Sequence, residues 1–302
     1  MRDQADKLRK IIDDLKMRES AFQSSEHDAP ASKRCRVITV TSGKGGVGKT
    51  NFSVNFALKL SQMGYRVVIL DADFGLANID VLFGISPRYT LLDVINSNKT
   101  IFDILSEGPM NVKFISGGSG IEEMIHLEKW QLNIVIEKIA SLDQIADIVV
   151  VDTGAGISDN VISFITAADD VILITTPEPT SIMDAYALVK TVSVKDKNKK
   201  IHVVINRADN IKEAVSVANK LCLAADKFLG VKLQQLGHVL YDISVVKAVK
   251  QQQPFILSYP KALVTRQFSE IAHKLMGETD TTSQTSSGLR GFFRKLTNII
   301  NA

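Results

Sequence analysis

The eight residues Gly43-Lys44-Gly45-Gly46-Val47-Gly48-Lys49-Thr50 restrict the fold of this chain more than any other stretch. Gly43, Gly48, Lys49 and Thr50 match the phosphate-binding pattern G-x-x-x-x-G-K-[ST]. Glycines in such a loop let successive backbone N–H groups converge on one phosphate chain. Lys49 is placed to reach the β- and γ-phosphates, and the Thr50 hydroxyl to ligate Mg²⁺. The flanks suit the motif. Residues 37–40 are an apolar run of strand type, and Asn51 opens a helical pattern over 51–63. The positive end of that helix falls at the phosphates. The pattern implies a nucleoside-triphosphate site.

Two further apolar runs end in acids. Residues 67–70 lead into Asp71-Ala72-Asp73, and positions i and i+2 of a strand point the same way, so both carboxylates can face the phosphates. Acids that merely cap a turn give the same pattern. Residues 148–151 lead into Asp152, which fits the acid that holds Mg²⁺ through water in P-loop NTPases.

The same kind of run recurs along the chain. Strands are expected over 37–41, 67–70, 112–115, 148–151, 171–175, 201–205 and 235–239, as continuous apolar stretches suited to parallel strands covered on both faces. Helical patterns over 130–140, 182–191 and 212–229 are long enough for crossovers, and Gly64 suits the end of the helix over 51–63. The expected fold is α/β, a doubly wound, mostly parallel sheet of about seven or eight strands. Its ligand would sit at the carboxyl ends of the strands.

The second lysine of the loop, Lys44, makes it resemble the deviant Walker A loop of the MinD/ParA class of ATPases. That resemblance implies ATP or ADP with Mg²⁺, and a homodimer in the ATP state in which Lys44 reaches the partner's nucleotide. Lys44, Lys49 and Asp73 would be the catalytic residues of a slow ATPase, with Asp73 positioning the attacking water. Asp71 would sit near Mg²⁺ with Thr50 and Asp152. Residues 74–80 resemble the first switch and residues 153–157 the second, where the Gly156 N–H can meet a γ-phosphate. Such loops order and disorder with the nucleotide. By the same resemblance Asn206 pairs with the adenine edge beside Arg207, and Tyr241 and Asp242 belong to the base-side loop. From its residue type alone, Asn206 is a turn former. Many relatives have proline where this chain has Leu240. Residues 176–181 and 184–186 resemble the interface and nucleotide surroundings of the class.

Composition divides the chain into zones. Residues 1–18 form a charged helical segment, 19–33 a polar linker, 34–276 the ATPase core, 277–288 a Thr/Ser-rich linker expected to be mobile, and 289–302 a terminal helix. In the last of these, Leu289, Phe292, Phe293, Leu296, Ile299 and Ile300 make one apolar stripe beside Arg290, Arg294 and Lys295. A basic amphipathic helix of this kind suits an anionic membrane surface, and a dimer carrying two would gain avidity. A helix laying its stripe on the core or on a partner protein has the same pattern.

The N-terminal segment contains Asp3, Gln4, Ala5, Leu8 and Arg9 in an order that resembles the flagellar branch of the MinD-like ATPases, called FlhG, YlxH or FleN. In that branch the segment stimulates an FlhF-type GTPase, and flagellar basal-body proteins are further partners. A frayed helix with no partner is the alternative. The implied function is a dimerising ATPase switch setting flagellar number or placement. A division-site MinD and a ParA-like DNA-segregation ATPase are the rivals. A net charge of +3 gives no ground for nucleic-acid binding. No apolar signal-peptide region follows Met1, and no apolar run approaches the ~20 residues needed to span a bilayer, so the expected place is the cytoplasm, reversibly at the inner face of the membrane. Cys35 and Cys222 lack ligand spacing, which argues against a cluster-bearing electron-transfer ATPase.

Overall fold

The computed structural model describes residues 35–73, 78–97, 99–117, 120–125, 127–277 and 288–300. The N-terminal segment with Asp3, Gln4, Ala5, Leu8 and Arg9 lies outside the described residues. So do residues 19–33, the first-switch residues 74–77, and 278–287 of the second linker.

Eight strands form one sheet in the order β3-β4-β2-β5-β1-β6-β7-β8. They are β1 (Arg36–Ser42), β2 (Val67–Ala72), β3 (Ser106–Glu107), β4 (Lys113–Ser116), β5 (Ile148–Ala155), β6 (Asp170–Thr175), β7 (Ile201–Ala208) and β8 (Gln234–Leu240). All neighbours are parallel except the short edge pair β3–β4. Seven of the strands lie where the apolar runs place them. Only the two-residue β3 has no such signature.

The strands are apolar throughout because both faces are covered. Along β1, Val37 packs into one apolar layer, while Ile38 and Val40 pack into the other. Along β5, Val149 and Val151 alternate with Ile148 and Val150 in the same way. One layer is closed by α1 (Lys49–Gln62) and, near the carboxyl end of the chain, α11 (Leu263–Gly277). Between α1 and these later elements lie α2 (Ile79–Phe83), α3 (Leu91–Asn96) and α4 (Gly120–Ile125). The other layer is closed by α5 (Lys129–Ala140), α6 (Asp159–Ala167), α7 (Pro179–Lys195) and α8 (Ile211–Leu229). Two short helices, α9 (Ile243–Lys250) and α10 (Phe255–Ser258), precede α11. Gly64 ends α1 as its position suggests, at φ +92, with its N–H donating to the Ser61 carbonyl at 2.9 Å.

The terminal helix α12 (Gly288–Ile300) packs on the core rather than standing apart from it. Leu289, Phe292, Phe293 and Leu296 are each 1% exposed and join the layer formed by α5 and α6. Ile299 is half-buried. Of the two placements open to this amphipathic stripe, the fold adopts the docked one. Polar contacts hold it in register. The Asp143 carboxylate accepts from the Leu289 N–H at 3.1 Å, at the positive end of α12. Glu137 of α5 bonds to Arg290 and lies 3.8 Å from Arg294. Among the described residues no helix is long and apolar enough to cross a membrane.

Candidate nucleotide site

The loop between β1 and α1 lies at the carboxyl ends of the parallel strands, where a doubly wound sheet places its ligand. Gly48 sits at φ +93 at the head of α1, and a Cβ there would come within 2.7 Å of the Asn206 amide nitrogen. Gly43 has no room for a side chain either, since a Cβ would lie 2.3 Å from the backbone of Asp184 in α7. Gly45 and Gly46 face open space, Gly46 at φ +78, and Val47 is buried beneath them. The loop is thus pinned at both ends and open at its crown.

Beneath the loop lie two acids in register. Asp71 of β2 and Asp152 of β5 are direct partners across the ladder, and both are buried. The Lys49 ammonium lies 3.2 Å from Asp152 Oδ1, and the Ser53 hydroxyl donates to the same oxygen at 2.7 Å. Asp152 Oδ2 is buried without a hydrogen-bond partner. Thr50 is half-buried in the first turn of α1, one residue after Lys49. An unpartnered buried carboxylate oxygen beside a phosphate-type loop fits a hydrated divalent cation, and the glycine crown fits a polyphosphate. Asn51 accepts a hydrogen bond from the Asn55 amide at 3.3 Å, which ties down the next turn of the helix.

Burial, reinforced by the charge of Asp152, pushes the Asp71 carboxyl up to about 6. Three backbone donors pull the other way. Asp71 Oδ1 accepts from the Asp73 N–H at 3.1 Å, and Oδ2 from Asn78 at 3.1 Å and Ile79 at 3.5 Å. Asp71 therefore anchors both ends of the first switch. Asp73 is half-buried, with Oδ1 3.6 Å from where a Cβ on Gly154 would stand, so its carboxylate faces the second-switch strand β5.

Lys44 points away from this floor. Its ammonium donates to Glu178 Oε2 at 2.8 Å and to Thr180 Oγ1 at 2.9 Å, both at the start of α7. That contact holds Glu178 below the usual carboxylate range. The Gly156 N–H donates to the Ser42 carbonyl at 2.9 Å, which leaves it committed to the P-loop strand.

The base side is arranged differently from a simple set of base contacts. The Asn206 amide donates to the Val47 carbonyl at 2.7 Å, and its oxygen accepts from the Arg207 N–H at 3.0 Å, so Asn206 braces the P-loop. Arg207 is exposed and sits at φ +56. Tyr241 is exposed, whereas Asp242 caps α9, accepting from the Ser244 N–H at 2.8 Å and its hydroxyl at 2.6 Å. The Leu240 N–H donates to Gln267 Oε1 at 3.1 Å, a bond that a proline at this position could not make.

Ser53 acts at this site without having been singled out by motif, whereas Glu178 and Thr180 fall in the segment 176–181 that resembles the interface and nucleotide surroundings of the class. Ser53 carried a signal, since it lies four residues after Lys49 on the same face of α1.

A family model described as "ParA: NUBPL iron-transfer P-loop NTPase" matches residues 33–276. The antiactivator FleN of Pseudomonas aeruginosa is 43% identical over 240 residues, which is 80% of this chain and 86% of that protein. The flagellum site-determining protein YlxH of Helicobacter pylori is 32% identical over 266 residues, 86% of this chain and 89% of that protein. The chain belongs to the MinD/ParA family of P-loop NTPases, in its FleN/YlxH branch. Among solved structures, the septum site-determining protein MinD of Pyrococcus horikoshii, complexed with Mg-ADP, superposes with a TM-score of 0.65 at 22% identity, covering 83% of this chain and all of that one. It shares the fold. Among the described residues no group of three or more His, Cys, Asp or Glu side chains is placed to hold a metal ion.

Proposed function

We propose that this protein is an ATP-dependent dimerising switch that controls flagellar number or placement and works at the cytoplasmic membrane. The observation that carries the mechanism is the convergence of Lys49, Asp71 and Asp152 under an open glycine loop, with Lys44 held apart at the surface. The flagellar role rests on the FleN and YlxH relatives, named an antiactivator and a flagellum site-determining protein.

Thr50 would ligate Mg²⁺ directly and Asp71 and Asp152 through water, and the cation would supply charge neutralisation between the β- and γ-phosphates. Lys49 exchanges Asp152 for phosphate oxygens when nucleotide enters. The Gly156 N–H exchanges the Ser42 carbonyl for the γ-phosphate, which moves the second switch. Lys44 leaves Glu178 and Thr180 to complete a partner subunit's site, and Asp73 orients the attacking water. Helix α12 carries the membrane affinity. Its apolar stripe is buried against α5 and α6, so lipid contact by the stripe requires its release, and coupling release to dimerisation ties membrane residence to ATP. The segment over 1–18 is the element offered to an FlhF-type GTPase.

Light scattering of the full chain with ATP or ADP tests the switch, and vesicle co-sedimentation under the same conditions tests its membrane arm. Monomers in both nucleotides would sink the dimer. Vesicle binding indifferent to nucleotide would uncouple the membrane arm from it. A GTPase-stimulation assay with and without residues 1–18 decides the partner.

A further inference from the structure

Helix α5 buries Leu132, Val135, Ile136 and Ile139 in the core and turns a different face outward. On that outer face Trp130 is 65% exposed and Ile134, four residues on, is 50% exposed. Glu137 continues the same face at i+7 and is the residue that holds Arg290 and Arg294 of the docked α12. An indole, a branched alkyl group and two guanidiniums therefore share one surface. Its acids do not cancel them. Glu137 is divided between two guanidiniums, and Glu128 lies at the positive N-terminal end of α5.

Single exposed apolar residues are ordinary, but an i, i+4 aromatic–aliphatic pair bordered by cations is a specific chemistry. The indole favours the headgroup region of a bilayer, where its ring is half-desolvated and its N–H stays hydrated. Each cation near an anionic leaflet adds about five-fold in partitioning.

We propose that the α5–α12 face is a lipid-contact surface used while the terminal helix is still docked. Anionic headgroup phosphates compete with Glu137 for Arg290 and Arg294, while Trp130 and Ile134 enter the headgroup layer. The proposal rests on the membrane reading above and extends it. The docked protein meets the bilayer with α12 alongside it, so a released stripe passes directly into lipid.

Trp130 is the only tryptophan of the chain, so its fluorescence reports on this face alone. The test uses the full-length ADP-bound protein with vesicles of phosphatidylcholine, with and without phosphatidylglycerol, some carrying brominated chains. The expected result is sedimentation with the anionic vesicles that is weaker than with ATP, a shift of emission to shorter wavelength and quenching by bromine. Trp130→Ala with Ile134→Ala lowers vesicle partitioning in ADP roughly ten-fold, with the melting temperature held. Sedimentation with an unshifted, unquenched tryptophan overturns the proposal and leaves membrane association standing. So does binding that appears only with ATP. An equal response to neutral vesicles overturns the assignment to anionic headgroups. Absence of sedimentation in either nucleotide defeats both the proposal and the reading it rests on.

Discussion

The signature lysine Lys44 is held within its own chain, 2.8 Å from Glu178 Oε2 and 2.9 Å from Thr180 Oγ1. A residue proposed to act on a second subunit's nucleotide thus has a competing partner at home. The pair is solvent-exposed, so the competition is weak. Glu178→Gln should therefore tighten ATP-dependent dimerisation by about two- to five-fold, while Lys44→Ala abolishes it. Light scattering across a concentration series reads both. Normal dimerisation of Lys44→Ala would remove the cross-subunit role of Lys44.

Lys49 and Asp152 form a buried pair, 7% and 0% exposed, with Asp71 directly across the ladder. Removing the ammonium leaves Asp152 with Ser53 as its hydrogen-bond partner, beside a second acid. Lys49→Ala should cost about 3–5 kcal/mol as well as nucleotide binding. Adding Asp152→Asn should recover much of the stability and none of the binding. Urea unfolding of the single and double variants gives the coupling energy, and additivity would show the pair to be inert.

The P-loop and the parallel sheet were legible because their signals are local. A glycine crown needs particular residues in a particular order, and a strand covered on both faces is apolar at every position. Asp152 was legible as the end of such a run. The base side was less so. Asn206 and Asp242 are spent on the Val47 carbonyl and the start of α9, and neither contact is visible from a residue and its neighbours. The destination of α12 was open in principle, because a helix stripe fits lipid and core alike. Asp143 and Glu137, which decide it, lie some 150 residues earlier in the chain, at separations of 146 and 153.

Asp71 carries a pH dependence. Burial, and after it the Asp152 charge, raises its carboxyl to about 6 from an ordinary 3.8. A folded-state value above the unfolded one means that folding favours the protonated form. Stability from this group is full below about 4 and is lost as pH rises through about 6. Metal binding has the opposite sign, since the protonated carboxyl accepts poorly from metal-bound water. The Mg²⁺ concentration needed for half-maximal nucleotide hydrolysis should be about four-fold higher at pH 5.5 than at pH 7.5. In Asp71→Asn the requirement should be raised and flat with pH. A wild-type requirement that stays level across this range would exclude Asp71 from the metal site.

The docked terminal helix makes a prediction that a helix built only for lipid would not share. Phe293 is buried among core residues and meets Phe292 edge-on at 5.1 Å, while Phe292 lies 6.1 Å from Phe164 of α6. Phe293→Ala in lipid-free buffer should cost about 3–5 kcal/mol, whereas the exposed Asn298→Ala should change stability by less than about 0.5 kcal/mol. Asp143→Ala separates docking from the apolar stripe. It removes the carboxylate at the start of α12 and costs about 1 kcal/mol, leaving every apolar side chain intact. If docking restrains the stripe, this variant should bind anionic vesicles more strongly in ADP, by about five-fold. Urea denaturation supplies the first comparison and vesicle sedimentation the second. A stable Phe293→Ala protein would place α12 off the core in solution. Unchanged vesicle binding by Asp143→Ala would mean that docking does not limit the access of the stripe to lipid.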